Sequence, residues 1–276
     1  QAPLAALALG QIAREAGVPD EMLQVIPCSN AVAETLVRSD AFAVLSFTGS
    51  DRVGWHLASI AGKKRVLLEL GGNAAVIVAD DAARSDALHD ALDRIVLGAF
   101  AHAGQVCIKV QRLFVPAGRA EAVGAALVER ARAMLPASPL EETTVVGPMI
   151  DEAAARRVES WVAEAVGAGA RPLLPLRRDG SRLTPCILQV EGAGRGLKVV
   201  DDEVFGPVLT VHAYERFDDA VAWANGTRFG LQAGLFTDSQ AAIERAFRGL
   251  DVGALIVGDV PTFRVDSMPY GGVRDS

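Results

Sequence analysis

Four short segments of this chain join a chemically capable side chain to a glycine turn. In Gly104-Gln105-Val106-Cys107-Ile108 a thiol stands between a long apolar helix pattern and a strand pattern. A cysteine placed there is either an inert packing residue or a thiolate presented to substrate at the end of an element. In Leu67-Leu68-Glu69-Leu70-Gly71-Gly72-Asn73 a carboxylate interrupts an apolar strand. If Glu69 is buried, desolvation raises its pKa toward the range useful to a general base; if it ends the strand, it faces water. In Phe47-Thr48-Gly49-Ser50 a strand runs into a helix start. Free N–H groups and two hydroxyls there suit a phosphate oxygen, or Ser50 or Asp51 merely caps the helix. In Glu203-Val204-Phe205-Gly206-Pro207 an acid and an aromatic on a turn could hold a ribose and a ring, or form a plain acidic surface turn. The other cysteines, Cys28 and Cys186, read as buried packing residues. His102 reads as a helix-face residue, and His56, His89, His102 and His212 show no metal-ligand spacing.

The elements that must position these groups alternate along the chain. Helical spacing of apolar residues covers 4–16, with Gly17 and Pro19 as the stop. Short apolar runs at Leu23–Ile26, Ala43–Phe47, Arg65–Leu70 and Ala74–Val78 predict buried parallel strands. Helices are expected near 30–38, 51–61, 82–101, 118–134 and 152–167, and strands near 110–115, 208–213, 233–237 and 253–257. Residues 135–150 read as a surface connection. Strand–helix alternation of this kind predicts an α/β fold with a parallel sheet.

Composition narrows the function classes. Of 276 residues, 50% are hydrophobic, which excludes a disordered chain. The net charge of −7 provides no basic face for nucleic acid. No apolar run reaches the ~18 residues of a membrane helix. Three scattered cysteines suit a reducing, cytoplasmic setting better than a disulfide framework, and the opening Gln1-Ala2-Pro3-Leu4 has no signal-peptide character.

Taken together, the segments FTGS (47–50), LELGG (68–72), GQVC (104–107), EVFGP (203–207) and PYGGV (269–273) resemble the aldehyde dehydrogenase superfamily, in that family's chain order. The stretches GAFAHAGQVC–IKVQR and DVPTFRVDSMPYGGV resemble its lactaldehyde and non-phosphorylating glyceraldehyde-3-phosphate dehydrogenase-like branch. The resemblance implies the later part of a Rossmann-like cofactor domain (1–70) and an α/β catalytic domain (71–276), with NAD or NADP in the crevice between them. It makes Cys107 the nucleophile and Glu69 the base for the hydrolytic water. It sets Thr48, Gly49 and Ser50 along the cofactor phosphates, Leu70 and Gly71 near the nicotinamide, and Glu203 and Phe205 on its ribose and ring. The implied reaction oxidises a small aldehyde to its acid through a thiohemiacetal and a thioester on Cys107. The implied full-length enzyme is a homo-oligomer.

Arg264, beside Phe263 near the expected substrate mouth, could pair with a phosphate, sulfonate or carboxylate on the aldehyde, or simply bridge Asp266 or a surface carboxylate. The chain departs from the family pattern in length: the expected oxyanion Asn and the ribose-binding Lys would precede Gln1, and the chain stops at Arg274-Asp275-Ser276. The family's Gly-rich turn beside the adenine reads Pro27-Cys28-Ser29-Asn30 here. A chain truncated at both ends is therefore expected to have little dehydrogenase activity in isolation. The alternatives are a folded module without catalysis, or a CoA-acylating relative, against which the presence of Glu69 argues.

Overall fold

The computed structural model describes residues 3–85 and 87–276. The opening Gln1-Ala2 and residue 86, inside the expected 82–101 helix, lie outside the described residues. Backbone contacts divide the chain into two compact units: one runs to Phe47 and resumes over Arg52–Leu68, and the other comprises Thr48–Asp51 and Glu69–Ser276.

The first unit carries helices α1 (Leu4–Glu15), α2 (Asn30–Arg38) and most of α3 (Asp51–Ile60), with all but the last residue of each of the paired strands β1 (Val44–Thr48) and β2 (Arg65–Glu69). Ser29 caps α2 by accepting from Val32 N at 3.5 Å. A small nucleus of Val37, Leu57 and Ala61 packs with Leu45, Phe47 and Val66. Both strands alternate between exposed and half-buried positions, so they are not the doubly buried strands that their composition suggested. The expected strand at Leu23–Ile26 does not form. It has no ladder partner among the described residues, Pro27 behind it has no N–H to donate, and Leu23 and Ile26 stay exposed. Cys28 is likewise exposed, not a buried packing residue.

The second unit contains β3 (Ala74–Val78), α4 (Leu88–Phe100), β4 (Val110–Pro116), α5 (Ala120–Arg132), α6 (Glu152–Gly167) and β5 (Arg171–Leu174). A small hairpin of β6 (Arg178–Asp179) and β7 (Arg182–Leu183) leads to β8 (Cys186–Val190), α7 (Lys198–Asp201) and β9 (Val208–Tyr214). Then come α8 (Phe217–Ala224), β10 (Phe229–Gly230), β11 (Gln232–Phe236), α9 (Gln240–Gly249), β12 (Ala254–Val257) and β13 (Val273–Arg274). The expected helix 82–101 is in fact a 3-10 turn at Ala82–Arg84, an extended Ser85, and α4.

Among the described residues the main sheet has the order β12-β11-β3-β4-β9-β8-β5. Its pairs are parallel except β5 with β8. Residues Ile95, Phe100, Leu127 and Val158 of α4, α5 and α6 bury one face with Val76, Leu113 and Leu209. Ala220, Val221 and Ala246 of α8 and α9 bury the other with Ile77 and Phe114. Helices on both faces explain why β3 is apolar at every position and buried throughout. No helix among the described residues is long and apolar enough to cross a membrane.

The topology has one consequence for chemistry. The segments Glu69–Asn73, Gly104–Lys109 and Asp202–Pro207 lead directly into β3, β4 and β9, which are adjacent and parallel. Three motifs far apart in sequence therefore meet along the amino edge of one sheet.

Candidate active site

The Cys107 loop is held in an unusual backbone. After α4 ends at Phe100, His102 (φ 53°), Ala103 (φ 56°) and Gly104 (φ 68°) form a left-handed turn. Each non-glycine residue there costs roughly 1–2 kcal/mol, so the surroundings must impose the turn. His102 is thus not on a helix face; its N–H donates to Val145 O at 3.0 Å. Gly104 has no substitute, because a Cβ would overlap the Gly206 carbonyl oxygen. Gln105 ties the turn down: Nε2 donates to His102 O and Pro148 O, both at 3.2 Å, and Oε1 accepts from Ile150 N at 2.9 Å.

Cys107 emerges half-buried, with Sγ 3.2 Å from the Tyr270 hydroxyl. The Glu69–Asn73 turn lies against it, since a Cβ on Gly72 would overlap the Cys107 carbonyl oxygen. That backbone contact joins the two motifs, which sequence separation alone left unconnected.

Glu69, at the end of β2, is half-buried, and its Oε2 has no hydrogen-bond partner among the described residues. Burial raises its pKa, and the nearby Arg264 charge opposes that shift. Glu203 Oε1 accepts from Gly72 N at 2.9 Å. Burial, helped by the negative charge of Asp51, pushes Glu203 up to about 7 against the Gly72 hydrogen bond and the charges of Lys109 and Arg157. So Glu203 is not a plain acidic surface turn.

The Glu203 loop is gripped from β4 and β3. Gln111 Nε2 donates to Val199 O at 3.1 Å and Asp202 O at 2.6 Å, and its Oε1 accepts from Val204 N at 2.9 Å. Asn73 Nδ2 donates to Val200 O at 2.6 Å. Lys109 is buried behind the loop, donating to Val208 O at 2.6 Å, and burial lowers its pKa to about 7. Phe205 sits at φ 44°, strained for a non-glycine residue.

A cleft of about 690 Å³ opens beside these loops. Thr48, Gly49, Ser50, Leu70, Gly71, Cys107, Glu203 and Phe205 all line it, so most of the sequence-predicted residues share one wall. Arg157, Trp161 and Arg228 also line it, and sequence reasoning missed them. Arg157 donates to Val204 O at 2.8 Å and stacks on Trp161 at 4.8 Å, and Arg228 pairs with Asp51. Glu69, Phe263 and Arg264 stand outside the cleft lining. Phe263 is exposed. Arg264 does not bridge Asp266; it donates to Met268 O at 3.3 Å and Pro269 O at 3.2 Å and lies 4.3 Å over the Tyr270 ring. Tyr270, Gln111, Asn73 and Lys109 were also missed. Their sequence signal is a polar residue inside an otherwise apolar strand or a glycine turn.

The sequence pattern of the aldehyde dehydrogenase family matches residues 1–276. The chain belongs to this family. Among its aldehyde dehydrogenase relatives is the 3-sulfolactaldehyde dehydrogenase of Priestia aryabhattai, 41% identical over 275 residues, which cover 99% of this chain and 56% of the relative. Aldehyde dehydrogenase 21 from Physcomitrella patens, in complex with the reaction product succinate, is 37% identical with a TM-score of 0.92. That match covers 99% of this chain and 56% of the moss protein. Glyceraldehyde-3-phosphate dehydrogenase GapN from Methanocaldococcus jannaschii, complexed with NADP, is 31% identical with a TM-score of 0.92, covering 100% and 60%. The chain thus has the aldehyde dehydrogenase fold and spans little more than half the length of these relatives.

Proposed function

We propose that this chain carries the nucleophile and base for NAD(P)-dependent oxidation of a small anionic aldehyde to its acid. The observation that supports this most is the convergence of the Cys107 thiol, the desolvated Glu69 and the Glu203-lined cleft on one sheet edge. The cleft residues fit a dinucleotide. Thr48 and Ser50 offer hydroxyls for phosphate, and a Cβ on Gly71 would come 2.6 Å from Glu203 Oε2, so the wall there is bare backbone beside a carboxylate. When bound, NAD(P)+ supplies the hydride acceptor. Glu203 would then accept from ribose hydroxyls, and the Phe205 ring would border the nicotinamide.

The chain's own residues do the rest. The Cys107 thiolate attacks the aldehyde carbon; the C–S bond forms as the carbonyl π pair moves to oxygen. The Cys107 backbone N–H meets that oxyanion. After oxidation the acyl group remains on sulfur as a thioester. Glu69, its proton affinity raised by burial, takes a proton from water, whose oxygen attacks the acyl carbon. The C–S bond breaks and the thiolate leaves. Arg264, still donating through Nη1 to Met268 O and Pro269 O, offers its remaining N–H groups to the substrate anion. The sulfonate and the succinate in the names of the two relatives support an anionic substrate.

The test mixes the protein with NAD+ or NADP+ and a carboxylated or sulfonated aldehyde. Reduced nicotinamide is followed by absorbance, and acyl mass on the Cys107 peptide by mass spectrometry after acid quench. The expected result, in line with the low activity expected of so short a chain, is a weak signal by either readout that Cys107→Ala abolishes. Absence of both with every aldehyde and both cofactors overturns the reading.

A further inference from the structure

We infer that Tyr270 is a catalytic residue, whose phenol O–H donates to the Cys107 sulfur and stabilises it as the attacking thiolate. The inference rests on the proposed role of Cys107 as nucleophile. Its basis is geometric. The Tyr270 hydroxyl lies 3.2 Å from Cys107 Sγ and has no other hydrogen-bond partner among the described residues. The ring is fixed from behind by the Arg264 guanidinium at 4.3 Å from its centroid. Arg264 is itself anchored on Met268 O and Pro269 O, the two residues preceding Tyr270. A donor held this way loses little freedom when the sulfur becomes charged, which is what electrostatic preorganisation requires.

The direction of donation follows from the thiolate itself: once ionised, Cys107 Sγ carries no proton, so at 3.2 Å the phenol is the partner that donates. Burial, the hydrogen bond and charge of Cys107, and the charge of Glu69 all raise the Tyr270 pKa, while Arg264 alone lowers it. The phenol therefore keeps its proton at neutral pH and donates it as a hydrogen bond. No proton is transferred to sulfur; the thiol's own proton goes to solvent before attack. Hydrogen bonds to ionised groups are stronger than those to neutral ones, so the contact favours thiolate over thiol.

The test is the pH profile of Cys107 alkylation by iodoacetamide, read by peptide mass spectrometry without cofactor or substrate. Exposed Cys28 serves as internal reference and buried Cys186 as a fold reporter. Tyr270→Phe keeps the ring and its Arg264 stack. It is expected to slow Cys107 alkylation at pH 7 about tenfold and move the profile up by about one pH unit, with Cys28 unchanged and Cys186 protected. Replacing Tyr270 with 3-fluorotyrosine, a stronger donor, is expected to move the profile down. An unshifted profile in both variants overturns the inference while leaving Cys107 as nucleophile. Cys107 reacting no faster than Cys28 in the parent protein overturns both.

Discussion

The two edges of the main sheet treat a carboxylate in opposite ways. At the amino edge, Glu203 is buried beside a cleft and pushed up to about 7, and Glu69 is raised with one oxygen unpartnered. At the carboxyl edge, Asp81 follows β3 and accepts from Thr237 Oγ1 at 2.9 and 3.0 Å and from Asp238 N at 2.7 Å, which holds its pKa below the usual range. Open α/β sheets commonly bind ligands outside the carboxyl ends of their strands. Here Asp81 at that edge has its hydrogen bonds filled, whereas Glu69 Oε2 and the strained His102 and Phe205 lie at the other end. Perturbed carboxylates, left-handed turns and an orphan oxygen together mark where the fold keeps reactivity in reserve.

The largest effect is expected at the contact between the two amino-edge loops. Gly72→Ala forces the turn away from the Cys107 carbonyl. Misplacement by an ångström costs on the order of 100-fold in catalysed rate, so reduction of nicotinamide by the protein should fall by about that factor, and Cys107 alkylation should slow as well, with circular dichroism unchanged. Parent-like alkylation would show that the loops do not need to touch.

Glu203→Gln sharpens the contrast through stability. Raised in the fold from 4.5 to about 7, Glu203 favours the native state below its unfolded pKa and loses that contribution as pH rises through 4.5 to 7. The amide keeps an acceptor for Gly72 without the buried charge. The variant should be more stable than the parent by roughly 2–3 kcal/mol at pH 8 and no different at pH 4. Urea unfolding at the two pH values measures it; equal stability at pH 8 would mean the carboxylate is adequately solvated.

Asp81→Asn should move the other way and by less. A carboxylate with lowered pKa contributes stability above its unfolded value of 3.8 and loses it as pH falls through the folded value. Losing one charge-assisted hydrogen bond costs about 1 kcal/mol at pH 7, and the gap should close in acid. A stabilised variant at pH 7 would remove the distinction between the edges.

Much of this arrangement was legible from residue order. Strand β3 and helices α2 and α6 lie where periodicity places them, because each has a clean apolar pattern and a clear stop. The glycine turns pointed to Cys107 and Glu203 for a physical reason: backbone packed this closely leaves no room for a Cβ. What stayed hidden is what periodicity cannot encode. Lys109, Gln111 and Arg112 look like solvent-facing polar residues, yet all three are buried, bonding to backbone carbonyls of other loops. Arg156 and Arg157 are neighbours in sequence. On a helix they point apart: Arg156 pairs with Glu152, while Arg157 turns toward the cleft. Leu23–Ile26 has strand composition, but composition cannot supply a ladder partner.

The grip of Gln111 on Val204 also bears on how the molecule folds. These residues are 93 positions apart, and the loop they hold leads into β9, which pairs with β4. Contacts of such long range close late, because the chain entropy lost in bringing them together is recovered only when the pairing is complete. A fast-reacting Cys107 would therefore be one of the last properties to appear during refolding. Thiol reactivity doubles as a clock for the end of folding, and a protein halted short of that point would carry the proposed nucleophile and base and still react slowly.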